Sequence, residues 1–514
     1  MRCVTGAGLL ALVGCNQIFG ITPTTEFDAA EPHVVLDWQI ATLLASGPNA
    51  GAPDPMIRFA PIDPAPKIRI APIDGSFDQD QATYSPVDGS IAFPHAYLNT
   101  TWRLEYTLAD GVPHEVQWAP EDPQGHLTVP VFGRIQRDPV PPGGGYQITP
   151  SNPPASFMSP RVFTTGLWTE GTASHNGTTV DYDFSSATSL SGAKGRPDPT
   201  LGDRALLVDY LDSPINAAGC RVAVGSAALD SAAIQTGVHT TQTPPWNTTS
   251  QVVMSDRQAN FMDLGRLTSG LGKLESMFNS SASMQLFGVA ASTDMPGLSG
   301  TSGTPESSKL LVPVIVTLLQ CPYNSSLGSL APAQPPMLDP FPRILHVQLV
   351  DSRQVLGVVT LNSGMETVLV AGASGFTMAF PAAIPMQFTL TTPANSVLDL
   401  AGASDQVAVG PASGFFELDF VQEPSSDTPL RADYYDVVLH RFDPQVPGGL
   451  TTERIYTVTA PKVRIDGALL MPGADYVFEV RSYKGHPQAS HGNFAPVDYP
   501  YGAAIVFTST FKAS

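Results

Sequence analysis

The dominant pattern along the chain is short runs in which apolar and polar residues alternate, separated by turn residues. Within residues 33–137 such runs include HVVLDWQIATLL, KIRIAPI, TWRLEYTL and HLTVPVFG. Asp-Gly pairs stand between several of them, at positions 74–75, 88–89 and 110–111. Alternation places successive side chains on opposite faces of a strand, and an Asp-Gly pair between two such segments favours a hairpin. The pattern therefore predicts β-strands joined by tight turns.

The composition indicates an all-β protein with more than one domain. The chain has 514 residues, too many for a single hydrophobic core, and 42% of them are hydrophobic. Pro (49 residues) and Gly (45 residues) are abundant, whereas charged residues make up only 14%. This composition suits short strands and turns better than long helices. One stretch, NFMDLGRLTSGLGKLESMF, has leucines at helical spacing, but its glycines leave helix and loop equally open.

Clusters of turn residues divide the chain into several β-sandwich domains in tandem. Pro and Gly are dense in one cluster, which predicts a linker, and strands recur on both sides of it. The predicted segments are a signal peptide (1–14), a lipidated cysteine and tether (15–32), a first sandwich (33–137), a Pro/Gly-rich linker (138–156), a larger central sandwich or jelly-roll (157–342) and a C-terminal β region (343–514).

The cysteine at position 15 ends a short apolar segment near the N-terminus. A charged start, an apolar middle and a small residue before the cysteine are the parts of a secretory signal. The segment Leu12-Val13-Gly14-Cys15 resembles the lipobox of bacterial lipoproteins, in which the signal is removed and this thiol carries a lipid. The resemblance implies a lipid anchor at Cys15 and, with Asn16 next to it, the outer membrane or cell surface. The alternative is a chance Gly-Cys pair after a short apolar run.

Two further cysteines, Cys220 and Cys321, lie beyond the predicted anchor. An even pair of cysteines in an exported protein indicates a disulfide bond. The alternative is two isolated buried thiols. Neither position has the neighbouring cysteines or histidines of a zinc site.

The C-terminal segment LLMPGADYVFEVRS resembles the corner between strands E and F of fibronectin type III domains. Leu470, Pro472 and Tyr476 match the positions of the Leu-x-Pro and corner Tyr of that family. The resemblance implies a β-sandwich in which the Tyr476 hydroxyl bonds to upstream backbone and locks the corner. Either Phe415 or Phe416 is a candidate for the core position that the family usually fills with Trp.

Alternation within the same segment predicts which side of the strand faces the core. Tyr476, Phe478 and Val480 lie on one side, and a buried Tyr needs a hydrogen-bond partner there. Glu479 and Arg481 lie on the other side, which we therefore expect to face water.

The segment YSPVDGSIAFPHAYLNTTWRLEYTL, near the N-terminus, resembles the transthyretin-like domains found beside carboxypeptidases. The resemblance rests on the Asp88-Gly89 turn and on the alternation of Trp102, Leu104 and Tyr106. It implies a small β-sandwich with a structural or binding role and no chemistry of its own.

The net charge argues against nucleic-acid binding, and the length of the apolar runs argues against a membrane-spanning segment. The net charge is −20, from 46 acidic and 26 basic residues, and no run of basic residues interrupts it. A nucleic-acid partner is therefore not expected, because it would need clustered Lys and Arg. The longest apolar run, LLVPVIVTLL, is too short to span a membrane.

The sequence offers no catalytic motif. GASGF and GLSGT lack the second glycine of a serine-hydrolase elbow, and HEVQW has Trp118 where a zinc protease needs its second His. Asp78 and Asp80 in one predicted loop, and Asp198 and Asp203 in another, are weak calcium candidates without the spacing of a known calcium loop. We predict no cofactor and no catalytic residue.

These observations together predict a lipid-anchored cell-envelope protein that presents β-sandwich modules for binding or scaffolding outside the cytoplasm. The expected partners are the membrane, through the anchor, and envelope proteins or polysaccharide. Two alternatives stay open. A carbohydrate-active enzyme or carbohydrate-binding protein could use the central domain, since glycosidases need only two carboxylates with no fixed spacing. A purely structural spacer is the other.

Overall fold

In the computed structural model of the chain, the regular secondary structure of the described residues is almost entirely β-strand. The described residues are 34–42, 56–77, 82–93, 101–109, 111–118, 125–132, 142–164, 169–186, 188–189, 196–197, 205–212, 221–230, 235–248, 254–255, 283–291, 315–317, 329–330, 343–357, 359–370, 384–401, 407–409, 414–422, 432–486, 489 and 501–513. Helical residues among them form short 3-10 turns such as Phe184–Ser186 and Gly467–Leu469. The predicted all-β class is confirmed. Within these ranges no helix is long and apolar enough to cross a membrane.

The first eight strands form the N-terminal unit. In this unit β1 pairs with β2 and β5 in the antiparallel sense and with β8 in the parallel sense, while β3, β6 and β7 form a separate antiparallel ladder. The strands are β1 (Val34–Thr42), β2 (Met56–Pro61), β3 (Lys67–Pro72), β4 (Thr83–Tyr84), β5 (Ser90–Ala92), β6 (Trp102–Thr107), β7 (Pro113–Trp118) and β8 (Gly125–Phe132).

Two of the predicted Asp-Gly turns connect neighbouring strands of this unit. Gly89 lies between β4 and β5 with a φ of 72°, and Gly111 lies between β6 and β7 with a φ of 80°. These backbone angles are costly for residues with a Cβ atom, which explains the glycines. The Asp88 carboxylate accepts hydrogen bonds from the amide (3.1 Å) and hydroxyl (2.7 Å) of Ser90 and so fixes the first turn.

The next ten strands form a β-sandwich in the middle of the chain. Its two sheets have the strand orders β12-β13-β9-β17 and β14-β11-β10-β15-β16-β18. The strands are β9 (Gly145–Ile148), β10 (Pro160–Thr164), β11 (Thr169–Thr172), β12 (Ser174–Asn176), β13 (Thr179–Asp183), β14 (Thr188–Ser189), β15 (Ala205–Asp212), β16 (Arg221–Leu229), β17 (His239–Gln242) and β18 (Asn247–Thr248).

The core of the central sandwich corrects the predicted linker. Tyr146 and Ile148 of β9 are fully buried against Val180 and Tyr182 of one sheet and Leu207 of the other. Residues 145–148 therefore belong to the sandwich, although they fall inside the segment predicted as a linker. The prediction of a linker was wrong here because the many Pro and Gly residues around β9 leave only a short alternating pattern for the strand.

Most of the remaining strands form the C-terminal unit, whereas β19 and β22 pair with each other in a separate two-stranded sheet. The main sheet of this unit has the order β21-β20-β23-β24-β33-β32-β29-β30, and a second sheet has the order β26-β25-β28-β31. The strands are β19 (Met254–Ser255), β20 (Ser283–Ala291), β21 (Ile315–Thr317), β22 (Ser329–Leu330), β23 (Arg343–Val355), β24 (Val359–Val370), β25 (Pro385–Thr391), β26 (Val397–Asp399), β27 (Val407–Val409), β28 (Phe415–Gln422), β29 (Tyr434–Phe442), β30 (Leu450–Val458), β31 (Lys462–Asp466), β32 (Asp475–Lys484), β33 (Tyr501–Phe507) and β34 (Phe511–Ala513).

The two sheets of the C-terminal unit enclose a large apolar core. Phe388, Phe416 and Phe420 of the second sheet pack in one cluster with Tyr476 and Phe478 of the main sheet. Of the two candidates for the core aromatic position, Phe416 is the one in this cluster, whereas Phe415 points to the other side of its strand. The predicted boundary at residue 342 is wrong, because β20 pairs with β23 in one ladder.

The N-terminal and C-terminal units share one continuous sheet. Strand β7 pairs in the parallel sense with β30, with His114 opposite Ile455 and Gln117 opposite Val458. The ladder β3-β6-β7 thereby extends the main C-terminal sheet into one of 13 strands. Strands that are far apart in the sequence are thus neighbours, and the central sandwich is inserted between them.

Candidate functional site

The charged face of β3, β6 and β7 meets the edge of the C-terminal sandwich. Ile70, Leu104 and Val116 lie on one face of these strands, in the N-terminal core. The residues between them point to the opposite face, as the period of two requires. There they meet side chains of β28, β30 and β31. We call the following residues the junction cluster: Arg69, Asp74, Phe77, Arg103, Glu105, Glu115, Gln117, Phe415, Arg454 and Arg464.

Two buried glutamates form the centre of the junction cluster. Arg454 Nη1 donates to Glu115 Oε2 at 2.6 Å, and Arg103 Nη1 lies 3.5 Å from Glu115 Oε1. Glu105 accepts a hydrogen bond from Arg69 Nε at 2.7 Å and also pairs with Arg454. Glu105 and Glu115 are direct neighbours across β6 and β7, and two like charges in such a position repel. Arg454 binds both carboxylates and so offsets that repulsion.

Guanidinium groups and aromatic rings alternate in a stack through the junction cluster. Arg103 is fully buried, and its Cζ atom lies 4.3 Å from the centre of the Phe77 ring and 4.9 Å from that of Phe415. Arg464 Cζ lies 4.6 Å from the Phe415 ring, and Arg69 Cζ lies 5.0 Å from the Phe77 ring. Cation–π contacts of this kind are attractive. The stack joins the loop after β3 to β6, β28 and β31, and therefore joins the two units.

Gln117 connects the N-terminal unit to the free edge of β31. Its side-chain amide donates to the Arg464 carbonyl at 2.5 Å and accepts from the Arg464 amide at 3.0 Å. These two bonds satisfy the backbone of an edge strand as a neighbouring strand would. The amide of Gln117 also donates to Glu115 Oε1 at 2.9 Å, which links this contact to the buried ion pairs.

A second group of buried charges lies on β29 and β32, on the side of the main sheet away from the apolar core. His440 Nε2 lies 2.8 Å from Glu479 Oε2, and Arg481 Nε donates to Glu479 Oε1 at 2.6 Å. The other imidazole nitrogen, Nδ1, lies 3.3 Å from the Thr452 hydroxyl on β30. Because His440 is only 6% exposed and both of its nitrogens are engaged, this arrangement holds strands together and does not present a reactive group.

The charges of this second group control one another's ionisation. Burial alone would raise the pKa of Glu479, but Arg481 and His440 outweigh it and lower that pKa to about 2. Burial raises the pKa of Asp436, which accepts a hydrogen bond from the Thr457 hydroxyl at 2.6 Å. Glu479 is therefore a carboxylate at neutral pH, held in place by Arg481 and by its contact with His440.

This burial corrects the expectation that the Glu479 side of β32 faces water. Glu479 is 2% exposed and Arg481 is 6% exposed. The end of the β23–β24 hairpin covers that side, where Val359 and Leu361 pack with Val477. The alternating pattern shows which residues share a face, but a hairpin from a distant segment decides whether that face is exposed.

Tyr476 has the burial and the hydrogen bonds expected from the sequence. Its ring is 0% exposed and stacks on Phe511 with the ring centres 5.6 Å apart. Its hydroxyl accepts a hydrogen bond from the Met471 amide at 2.7 Å and donates to the Leu469 carbonyl at 3.4 Å. The side chain thus fastens β32 to the upstream chain, as the predicted corner requires.

The other predicted site residues lie outside the described residues. This holds for the anchor residue Cys15 and for the predicted disulfide partners, Cys220 and Cys321. It also holds for all four weak calcium candidates, Asp78, Asp80, Asp198 and Asp203. Within the described part of the chain, no group of three or more His, Cys, Asp or Glu residues is arranged to hold a metal ion.

Sequence reasoning missed the junction cluster altogether. Arg103, Glu105 and Glu115 alternate with apolar residues, as the solvent-facing residues of a half-buried strand do. Their partner Arg454 comes more than three hundred residues later, and no local pattern links the two. One signal was available from the sequence. In a hairpin of β6 and β7, Glu105 and Glu115 come to lie opposite each other. Two like charges in such a position repel, so cations are needed nearby.

No protein-family model matches the sequence, and no curated protein matches it. The functional assignment therefore rests on the chain's own residues.

Proposed function

We propose that the protein is a non-catalytic scaffold of the cell envelope, anchored through Cys15 and presenting β-sandwich modules outside the cytoplasm. The observation that carries the proposal is the junction between β7 and β30. It joins the N-terminal unit, which follows the proposed anchor in the sequence, to the C-terminal unit through a parallel ladder and buried ion pairs. A scaffold needs such a rigid joint, because a flexible one would not fix the position of the modules it presents.

The chemistry of the charged clusters supports a structural role. In the junction cluster Glu105 and Glu115 are each bound to arginine, and in the second group Glu479 is bound to Arg481. Carboxylates whose oxygens are engaged by buried arginines are not open to a substrate, and the pKa of Glu479, lowered to about 2 by Arg481 and His440 against its burial, makes it a poor general acid at neutral pH. In the central sandwich, Tyr146, Phe157 and Tyr182 are buried, so these rings do not support sugar binding by stacking on that domain.

The anchor is tested by replacing Cys15 with Ser in the full chain in its native host. We expect the wild-type protein in the membrane fraction with the mass of two or three acyl chains, and the variant in the soluble fraction or as an uncut precursor. Replacement of Gln17 by Ser, two residues after the cysteine, is the control and should leave the protein in the membrane fraction. A mature wild-type protein without acyl chains contradicts the anchor.

The scaffold role is tested separately, by the partners that the anchored protein retains. Cross-linking in intact cells, followed by mass spectrometry, should recover envelope proteins or polysaccharide attached to the central sandwich. Variants that loosen the junction, such as Arg454→Met, should reduce this cross-linking without changing the amount of protein in the membrane. Undiminished cross-linking by such variants contradicts the idea that the junction positions the modules.

A further inference from the structure

The junction cluster contains more buried hydrogen-bond donors than acceptors. Within the described residues, Nε of Arg103, Arg454 and Arg464 are buried without a hydrogen-bond partner, and so is the hydroxyl of Tyr456, which lies beside the cluster on β30. Among the described acceptors of the cluster, Glu105 Oε2 is the one in the same position, and it is bound through its ion pair with Arg454. Buried polar atoms in folded proteins almost always have a partner, and an unsatisfied one is destabilising. Several such donors in one cluster indicate that an acceptor binds among them.

The charges of the junction cluster point to the nature of that acceptor. Arg69, Arg103 and Arg454 face the two carboxylates of Glu105 and Glu115, an excess of one positive charge. Arg103 is 0% exposed and its ion pair is the longest of the set, at 3.5 Å. A buried charge needs a counter-charge, which a water molecule does not provide. An anion satisfies both the donors and the charge.

The positions of the donors bring them to one place between the two units. Tyr456 is directly opposite Glu115 in the β7–β30 ladder, and Arg454 lies two residues before Tyr456 on the same face. Arg103 and Arg454 both contact the Phe77 ring, with Cζ-to-centroid distances of 4.3 and 5.9 Å. The Tyr456 side chain also interacts electrostatically with Glu115, Arg454 and Arg103. Two guanidinium groups and one hydroxyl therefore lie near one another, and all three are donors to a small oxyanion.

We propose that the junction cluster binds a small oxyanion of the phosphate or sulfate type, held by Arg103, Arg454 and Tyr456, and that this anion completes the joint between the N-terminal and C-terminal units. The anion adds a negative charge next to Arg103, whose ion pair with Glu115 is long at 3.5 Å. It also gives the junction a dependence on the ions in the surrounding medium that the paired residues alone would lack.

Titration of the full chain with inorganic phosphate tests the proposal. In isothermal titration calorimetry at constant ionic strength, with chloride as the only other anion, we expect saturable binding of one phosphate. The thermal unfolding midpoint should rise with phosphate concentration and then level off. Arg103→Met should weaken phosphate binding at least tenfold. Linear, unsaturable heats with wild-type protein, or an equal midpoint shift with chloride, overturn the proposal.

Two further variants keep the test decisive if Arg103→Met does not fold. Tyr456→Phe removes only a hydroxyl and should weaken phosphate binding several-fold while the circular dichroism spectrum is unchanged. Arg441→Gln is the control. Arg441 pairs with Glu453 in a partly exposed position outside the cluster, so this variant should bind phosphate like wild type. Equal affinity in the wild type and Tyr456→Phe overturns the assigned position of the anion.

A carboxylate of the chain itself is the rival source of the anion. The aspartates nearest to Phe77 along the sequence are Asp78 and Asp80, which lie outside the described residues. The test is the double variant Asp78→Asn, Asp80→Asn. If the site binds a free anion, the phosphate affinity of this variant should equal that of wild type. If the double variant binds phosphate markedly more tightly than wild type, a side chain of the chain occupies the place and the proposal is wrong.

Discussion

The junction between the two units should depend on the buried pair of Glu115 and Arg454. Glu115→Gln removes a charge that is 1% exposed and leaves the shape of the side chain nearly unchanged. Arg454 Nη1 then loses its charged acceptor at 2.6 Å, and Arg103 loses its only carboxylate partner within the described residues. Breaking a buried ion pair from one side leaves the other charge uncompensated, which typically costs about 3–5 kcal/mol.

The remaining contacts of the cluster place the expected cost at the lower end of that range. Arg454 keeps its pair with Glu105, and the amide oxygen of the new Gln can still accept a hydrogen bond. We therefore expect Glu115→Gln to cost about 3 kcal/mol, and Arg454→Met to cost at least as much. In the double variant the two effects should not add, with a coupling energy of about 0.5–3 kcal/mol.

Hydrogen exchange followed by mass spectrometry on the full chain measures these effects where they occur. Peptides covering β7 and β30 should lose protection together in Glu115→Gln, because the two strands share hydrogen bonds. Glu453→Gln is the matched control, since Glu453 lies on β30 and pairs with Arg441 in a partly exposed position, where an ion pair contributes less than a fully buried one. If Glu115→Gln costs no more than Glu453→Gln, or if β7 opens while β30 stays protected, the reasoning is refuted.

Three further outcomes follow from single contacts. Tyr476→Phe should lower the free energy of unfolding by about 1–3 kcal/mol, because the Met471 amide loses its hydrogen-bond partner. Denaturant unfolding measures this, and an unchanged free energy of unfolding would contradict the role of the corner. The pKa of Glu479 is lowered from 4.5 to about 2, so its stabilising contribution is present above pH 4.5 and is lost as the pH falls towards 2. The free energy of unfolding of Glu479→Gln should therefore fall less steeply with decreasing pH than that of wild type. Identical pH dependence below pH 4.5 would contradict this. Labelling of unreduced, unfolded protein with a thiol reagent should miss Cys220 and Cys321, and modification of either would exclude their disulfide.

The sequence was sufficient for the features that depend on neighbouring residues. The Asp-Gly turns at Gly89 and Gly111 are local, because their positive φ angles are set by the residue itself. The contact of the Tyr476 hydroxyl with the Met471 amide spans five residues and follows from the Leu-x-Pro and Tyr positions. The prediction of strand β9 (145–148) failed for a local reason as well. Its four residues lie among many Pro and Gly, and the alternating pattern is too short to detect.

The features that the sequence could not supply depend on which surfaces meet. The alternation along β6 correctly predicts that Trp102 and Leu104 lie on one face of the strand and Arg103 and Glu105 on the other. It does not say whether the charged side faces water or a second unit, since the same alternation serves both cases. The partner Arg454 becomes a neighbour only when β30 pairs with β7, and that pairing closes a loop of several hundred residues.

The buried charges explain why this particular pairing forms and not another. An apolar edge strand would pair with many partners, because apolar contacts are not directional. Strand β7 carries Glu115 and Gln117, and only a partner with Arg454 in register and an edge at Arg464 satisfies both. Any slip by one residue would turn Arg454 to the other face and leave Glu115 buried without its cation. The junction therefore gives up part of the stability that an apolar contact would provide, and in return its charges specify a single register between two units distant in sequence.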